Sequence, residues 1–395
     1  MIRTTPWQGQ ESACRHSDRC GGCLYQGIPY EEQLENKRRD VETELVKSGL
    51  NPALAQSVEP SPALYGYRNK MEYTFGNEYR DAPLSLGLHR RKSFMSIVHT
   101  DECRIVPPEF NDILRATHAL CVDAGYEFYH KKRHEGLLRT LVVRKGVRTG
   151  ELLVNIVTTS QGHFDADAFC RMLLELPFAD RFAGILHTVN DGVADAVRCD
   201  ALHVLYGRDY YVEQLMGLEF NVGAFSFFQT NVEAVERMFN RAISSISSLD
   251  GKTVWDLYSG TGTLAMALAQ SARQSIGVEI SEESVEMARQ SAARNGLGNC
   301  SFIAGDVLRV LDSLEAKPDI IVVDPPRAGI HPKALKKIVS VGVPEILYIS
   351  CNPKTMIRDL AQAMEAGYRL ASFQVFDNFA FTKHIEAVSL LSRDG

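Results

Sequence analysis

The chain has 395 residues, 45% of them hydrophobic and 23% charged, with 29 Gly and 15 Pro. These proportions exclude a disordered, collagen-like or coiled-coil chain, and the length predicts two or three domains, each with its own core. Net charge is −6, yet residues 60–150 carry 15 basic and 10 acidic residues (+5) while residues 151–228 carry 4 and 11 (−7). A phosphate backbone responds to such local concentrations of basic charge, not to the net value.

No stretch approaches the roughly 18 apolar residues of a membrane span, and the opening MIRTTPWQGQESACRH has no signal-peptide core. A cytoplasmic protein is expected, whose nine cysteines serve metal binding or catalysis rather than disulfides. Cys14, Cys20 and Cys23 read C-x5-C-x2-C, and Cys103 follows eighty residues later. Four such thiolates hold either zinc or a [4Fe–4S] cluster, and the spacing leaves both open.

Residues 30–47 read as a charged helix and 51–62, with three prolines, as a linker. From 67 to 217 short alternating runs (MEYTFG, LSLGLH, SFMSIVH, RTLVVRK, ELLVNIVTT, GILHTVN) surround one helical stretch, PEFNDILRATHALCVDAG. That pattern predicts an α+β segment dominated by antiparallel strands. After about residue 229 the strands TVWDLYS, SIGVEI, SFIAGD, DIIVVD, EILYIS, ASFQVFD and HIEAVSLLS alternate mostly with helices. Apolar strands in that rhythm form a parallel, doubly wound α/β sheet; the last two, too close for a crossover helix, form an antiparallel hairpin. The expected domains are 1–50 (cysteine-rich segment and helix), 51–217 (α+β) and 218–395 (α/β).

In VWDLYSGTGTLAMALAQ, Gly260 and Gly262 allow a tight strand-to-helix turn against a ligand. Glu279 ends the next strand, placed to accept hydrogen bonds from ribose hydroxyls, and Asp306 ends the following one, placed to meet an adenine amine. This combination suits S-adenosylmethionine better than a dinucleotide, because Ala265 stands where a third glycine is wanted.

Two further strand ends carry chemistry. Asp324 sits in DPPR, where Pro325 and Pro326 fix the backbone; Arg327 replaces the aromatic residue that amino-group methyltransferases use to stack a base. Cys351 precedes a helix that begins near Pro353, and a helix N-terminus is expected to stabilise its thiolate. A thiolate in a methyltransferase answers a specific difficulty, because carbon 5 of a pyrimidine is a poor nucleophile. Adding sulfur to carbon 6 makes an enolate able to take a methyl group, and a base must then remove the carbon-5 proton. Glu386, in an apolar strand, is the candidate base and His384 its competitor.

SGTGT, DPPRAG, SCNP and HIEAVSLL, with FSFFQTN at 225–231 and YRNKMEYTFG at 67–76, together resemble the RNA (uracil-5)-methyltransferases over nearly the whole chain. The resemblance implies a Rossmann-like methyltransferase domain joined to a strand-rich RNA-binding domain and an N-terminal iron–sulfur segment. By position it makes Cys351 the nucleophile and Glu386 the base, with Gln229, Tyr258, Glu279 and Asp324 holding S-adenosylmethionine. It implies a [4Fe–4S] cluster on Cys14, Cys20, Cys23 and Cys103, as in the ribosomal-RNA members; the bacterial transfer-RNA enzyme lacks these cysteines. With thirteen residues before Cys14, no TRAM-type barrel precedes the cluster, as in the short members that methylate a uridine in 23S rRNA. The expected protein is monomeric, with ribosomal RNA as its partner.

RNA contact falls to Arg68, Lys70, Arg90, Arg91, Lys92, Lys131, Lys132, Arg133, Arg139, Arg144 and Lys145, interspersed with Tyr67, Tyr73, Phe75 and Phe94. The target base must flip out of its stack to reach Cys351. The alternatives are a tRNA uracil-5 enzyme, an RNA cytosine-5 methyltransferase and a non-catalytic RNA chaperone of this fold.

Overall fold

The structure is a computed structural model that describes residues 14–193, 200–312 and 317–393. Residues 1–13, read above as lacking a signal-peptide core, lie outside them.

Helix α1 (Tyr30–Lys47) and the short strand β1 (Val58–Glu59) come first. Then follow β2 (Lys70–Gly76), β3 (Ser85–His89), β4 (Ile97–His99), α2 (Pro108–Asp123) and β5 (Leu138–Lys145). Next are β6 (Leu152–Thr158), α3 (Ala166–Leu174), β7 (Phe182–Val189) and β8 (Ala201–Gly207). A hairpin of β9 (Tyr210–Leu215) and β10 (Leu218–Gly223) precedes α4 (Val232–Ser245). The alternating part runs β11 (Thr253–Leu257), α5 (Thr263–Ala269), β12 (Gln274–Glu279), α6 (Glu282–Arg294), β13 (Cys300–Ala304) and α7 (Val307–Val310). It ends with β14 (Ile320–Val323), α8 (Pro332–Val341), β15 (Glu345–Ser350), α9 (Pro353–Glu365), β16 (Arg369–Phe376) and β17 (Glu386–Ser392).

The chain divides into two compact units. One comprises the described part of residues 1–30 with 64–145 and 151–209; the other comprises 31–63, 146–150 and the described part of 210–395. In the first, seven strands lie in the order β4-β3-β2-β5-β6-β7-β8. Every neighbouring pair is antiparallel except β6 and β7, which are parallel. That exception needs a crossover, and α3 supplies it, begun by the Asp165 carboxylate accepting from Ala168 N at 2.8 Å. All seven residues of β6 are buried.

In the second unit eight strands lie in the order β1-β16-β17-β15-β14-β11-β12-β13. Strands β11 to β15 pair in parallel, and β17 inserts antiparallel between β15 and β16. Trp255, Leu257, Ile321, Val323, Ile346 and Tyr348 form the core on one face. Doubly wound α/β architecture with a terminal antiparallel hairpin is therefore present. The proline-bearing stretch read as a linker contributes an edge strand as well, with Val58 paired to Val375.

Helix α1 belongs to this unit and not to the cysteine segment with which the sequence grouped it. Its buried face is Gln33, Lys37, Val41 and Leu45, at helical spacing. Val41 and Leu45 pack with Ala55, Val58, Ile357, Val375 and Ile385. The polar members reach the loop before β17. Gln33 Oε1 accepts from Phe381 N at 3.0 Å, and Lys37 Nζ donates to Asp377 Oδ1 at 2.7 Å, with both charged side chains fully buried. Burial pushes the Lys37 ammonium down and Asp377 pulls it back. Deleting one member of such a pair strands the other, at about 3–5 kcal/mol. The segment that delivers Glu386 is thus fixed by α1.

Candidate active site

β11 runs into a reversal at residues 258–262. Tyr258 N and Ser259 N both donate to Val278 O, at 2.9 and 3.0 Å. Tyr258, Gly260 and Gly262 all have positive φ (69°, 55° and 78°). A Cβ on Gly262 would lie 2.5 Å from the Phe302 ring, whereas space beside Gly260 is open. Glu279 is anchored at this turn, its two carboxylate oxygens accepting from Gly260 N and Ser281 N, each at 3.0 Å. Next to it opens a cleft of about 920 Å³ walled by Tyr258, Ile280, Asp306, Leu308, Pro326 and His331. Ile280 is 68% exposed, an apolar group left uncovered on a cleft wall.

A carboxylate for hydroxyls beside an apolar slot with an aromatic edge fits the adenosine part of S-adenosylmethionine. Two sequence assignments sit less directly. The Asp306 carboxylate caps α7, accepting from Leu308 N at 2.9 Å, so that oxygen is committed to backbone. Gln229 lies in the loop before α4, two residues ahead of the cap Asn231, and like Gly260, Gly262, Glu279 and Asp324 it is not among the residues walling this cleft, whereas Tyr258 and Asp306 are.

Asp324, Cys351 and Glu386 converge at the carboxyl ends of β14 and β15 and the start of β17. Antiparallel register brings the start of β17 there, pairing Ser350 with Ala387. Burial pushes the Asp324 carboxyl up to about 7. Burial and Asp324 push Glu386 up to about 8, against the pull of Arg327. Burial and Glu386 raise the Cys351 thiol, Asp324 adds to this, and Arg327 facing the sulfur opposes it. The expectation that the helix N-terminus holds Cys351 as a thiolate is therefore corrected. Burial and the two carboxyl groups disfavour the thiolate here, against the opposing pull of Arg327.

Arg327 is the residue the sequence reading passed over. It appeared there only as the absence of an aromatic; here it is the cation that opposes negative charge at Cys351 and Glu386. Its loop is pinned by α9. Arg327 O accepts from Asn352 Nδ2 (2.8 Å) and Thr355 Oγ1 (3.3 Å), and buried Asp359 accepts from Ile330 N (2.9 Å) and the Tyr348 hydroxyl (2.8 Å). His384, the competing base, lies outside β17 with its ring edge-on to Phe379. Glu386 is among the groups that act on Cys351, and His384 lines the same cleft as the sulfur.

In the other unit, Cys14, Cys20, Cys23 and Cys103 lie within electrostatic reach of one another. Burial raises Cys23 to about 12 and Cys103 to about 11, and neighbouring thiols of the four add to each shift. Gly22 N donates to Cys20 Sγ at 3.4 Å, and the Ile105 and Val106 amides face Cys103. Among the described residues, no group of three or more His, Cys, Asp or Glu side chains is arranged to hold a metal ion.

The basic stretch separates into core and surface. Tyr67, Tyr73 and Phe75 are buried, which removes them as exposed stacking platforms, and Arg144 is buried too. Arg91 donates to the carbonyls of Ser17 and Cys23, Arg139 to those of Asn190 and Gly192, and Lys145 pairs with Glu109. Lys131, Lys132 and Arg133 instead line a cleft of about 740 Å³ with Phe94 and Tyr79, which are 90% and 65% exposed.

Residues 306–394 match the family model described as tRNA (Uracil-5-)-methyltransferase, and residues 254–341 match a methyltransferase domain model. An uncharacterized RNA methyltransferase of Caldanaerobacter subterraneus is 46% identical over 393 residues, spanning 100% of this chain and 87% of that one. One from Clostridium tetani is 43% identical over 383 residues, spanning 97% and 84%. Among solved structures, the chain is similar to the Pyrococcus abyssi tRNA (uracil-54, C5)-methyltransferase in complex with S-adenosyl-L-homocysteine. The TM-score is 0.77 at 28% identity, covering 94% of this chain and 85% of that one. Among the described residues no helix is long and apolar enough to cross a membrane.

The raised Glu386 carboxyl has a consequence for stability. Between its ordinary value of 4.5 and about 8, the folded state keeps a proton that the unfolded state releases, so stability falls as pH rises through that window. Glu386→Gln should therefore raise Tm over the parent more at pH 9 than at pH 5. An equal Tm difference at the two pH values, measured by calorimetry on the ligand-free protein, would contradict the burial of this carboxyl.

Proposed function

Because the chain belongs to the RNA (uracil-5)-methyltransferase family, we propose that it methylates carbon 5 of a uridine in 23S ribosomal RNA, with Cys351 as nucleophile and Glu386 as base. The observation that carries this reading is the meeting of a thiol, two carboxyl groups of raised pKa and one guanidinium beside a cleft fitted to adenosine.

S-adenosylmethionine supplies an electrophilic methyl group when bound. Glu279 would hold the ribose hydroxyls, Ile280 and Leu308 the base, and Tyr258 and Asp324 the side of the cleft toward the reacting centre. Gln229, Gly260, Gly262 and Asp306 complete the proposed binding set.

Cys351 acts on the other substrate. As its sulfur bonds to carbon 6 of the flipped uracil, the thiol proton passes through the carboxyl pair to solvent, leaving Glu386 ionised, and the ring electrons move onto oxygen 4. Arg327, facing the sulfur, favours loss of that proton. After carbon 5 has gained its methyl group, the Glu386 carboxylate takes the carbon-5 proton. The ring double bond re-forms, the carbon–sulfur bond breaks, and Cys351 is released. The paired carboxyl groups, sharing protons near neutrality, are suited to receive one proton and hold another back.

The central reading of the strand-rich unit is RNA contact through Lys131, Lys132, Arg133, Phe94 and Tyr79, where cationic and aromatic groups share an open cleft. Cys14, Cys20, Cys23 and Cys103 are assigned to a [4Fe–4S] cluster rather than zinc. That choice rests on the resemblance, whose ribosomal-RNA members carry such a cluster on these cysteines, and on four thiols within electrostatic reach of one another. The amides directed at the Cys20 and Cys103 sulfurs suit thiolates bound to a cluster. Its role is to brace the unit.

A transfer-RNA uridine is the second reading, favoured by the description of the matched family model. The two are separated by incubating the protein and tritiated donor with fractionated RNA from cells lacking uracil-5 methyltransferases. 5-Methyluridine in 23S rRNA is expected; label confined to tRNA would transfer the assignment, and 5-methylcytidine would overturn the choice of base. In the same assay Glu386→Gln should slow turnover by about 10²–10⁴ and accumulate a denaturant-resistant protein–RNA adduct on ordinary uridine. Loss of turnover without that adduct would remove Glu386 from the elimination step. Anaerobically purified protein should be brown, with iron and acid-labile sulfide lost in Cys20→Ser; colourless protein with stoichiometric zinc would replace the cluster assignment.

A further inference from the structure

A cleft of about 470 Å³ in the α/β unit has Cys351 in its wall, and its rim is charged. On one side α1 contributes Asp40 and the pair Glu44–Lys47, whose nitrogen and oxygen are 2.7 Å apart. On the other stand Lys354, in the first turn of α9, and Lys383, in the loop before β17. Both are exposed, and among the described residues neither has an ionic or hydrogen-bonding partner. Unpartnered ammonium groups at the mouth of a concave site concentrate anions there.

The placement of these two lysines is specific. Lys354 follows Cys351 by three residues, and Lys383 precedes Glu386 by three. Each ammonium therefore rides on the same short segment as a reacting group. Both segments are held firmly: Asn352 Nδ2 donates to Arg327 O at 2.8 Å, and the 377–381 loop is fastened to α1 through Lys37 and Gln33. An anion bound at Lys354 and Lys383 is thus registered against the sulfur and the carboxyl together.

We propose that Lys354 and Lys383 grip the RNA phosphates flanking the target uridine, so that docking the backbone sets the flipped base between Cys351 and Glu386. The grip rests on the RNA-methylating function proposed above and adds a second RNA contact, outside the basic stretch of the strand-rich unit. The acidic α1 wall, with Asp40 and Glu44, repels phosphate and directs the strand toward the lysine side. Phosphates fix register without reading sequence, which suits a site where the base itself is read by the reacting groups.

The test measures binding of a fluorescein-labelled RNA hairpin with an all-uridine loop to the full chain over a range of salt concentrations. Each neutralised phosphate contributes about 0.7–0.9 to the slope of log affinity against log salt. Lys354→Ala and Lys383→Ala should each reduce the slope by about that amount, and the double variant by about the sum. Lys354→Arg and Lys383→Arg should retain the parent slope, and all variants should bind S-adenosylhomocysteine as the parent does. Parent affinity and slope in the double alanine variant would overturn the grip, as would an arginine pair that loses slope like the alanine pair. Failure of the parent to form 5-methyluridine in any RNA would instead strike the proposed function, and the slope comparison reads out separately from it.

Discussion

Three groups that each shed a proton to become negative are crowded at one end of the parallel sheet, with a single guanidinium among them. Asp324, Cys351 and Glu386 cannot all ionise there, because each raises the cost of charge on its neighbours while burial raises it for all three. Negative charge on the three is therefore disfavoured, and Arg327 is the cation that opposes this at Cys351 and Glu386. In the mechanism proposed above, its sulfur becomes a nucleophile only as its proton is accepted nearby. That the proton acceptors are built into the same cluster links the opening and closing proton transfers of one reaction cycle.

The fold makes this crowding possible. Parallel strands deliver Asp324 and Cys351 to the same rim of the sheet, and the antiparallel insertion of β17 brings Glu386 back to that rim from the opposite chain direction. Without the inverted strand, a residue at its beginning would emerge at the far edge. The reversal is secured by the 377–381 loop, and this loop is secured by a helix from near the start of the chain. The buried Lys37–Asp377 pair and the Gln33–Phe381 hydrogen bond thus carry positioning information over about 340 residues of sequence.

Much of this was legible before the structure. Strands β11 to β17 announced themselves by apolar runs of strand length between amphipathic helices, and the glycine turn, Glu279, Asp324, Cys351 and Glu386 all fall at strand ends where ligands gather. What escaped detection did so for physical reasons. Helix α1 carries its contact with the α/β unit on Gln33 and Lys37, which read as surface residues until their partners are seen. Strand β1 is two residues long, too short to show alternation. The thiolate was expected from helix geometry alone, because burial and neighbouring carboxyl groups belong to tertiary structure. Likewise the basic stretch could not reveal that Arg144 and Tyr73 face inward, since a run of mixed charge and aromatics has no marker for which side is solvent.

The central claim is that the sulfur of Cys351 bonds reversibly to the uracil ring. It is tested most directly with substrate RNA in which 5-fluorouridine replaces the target uridine, since fluorine at carbon 5 cannot leave as a proton does and the final elimination stalls. In the presence of S-adenosylmethionine a protein–RNA adduct should survive denaturation, with the modified nucleotide mapped by mass spectrometry to the peptide containing Cys351. An adduct located on another residue, or one formed undiminished by Cys351→Ala, would contradict the mechanism.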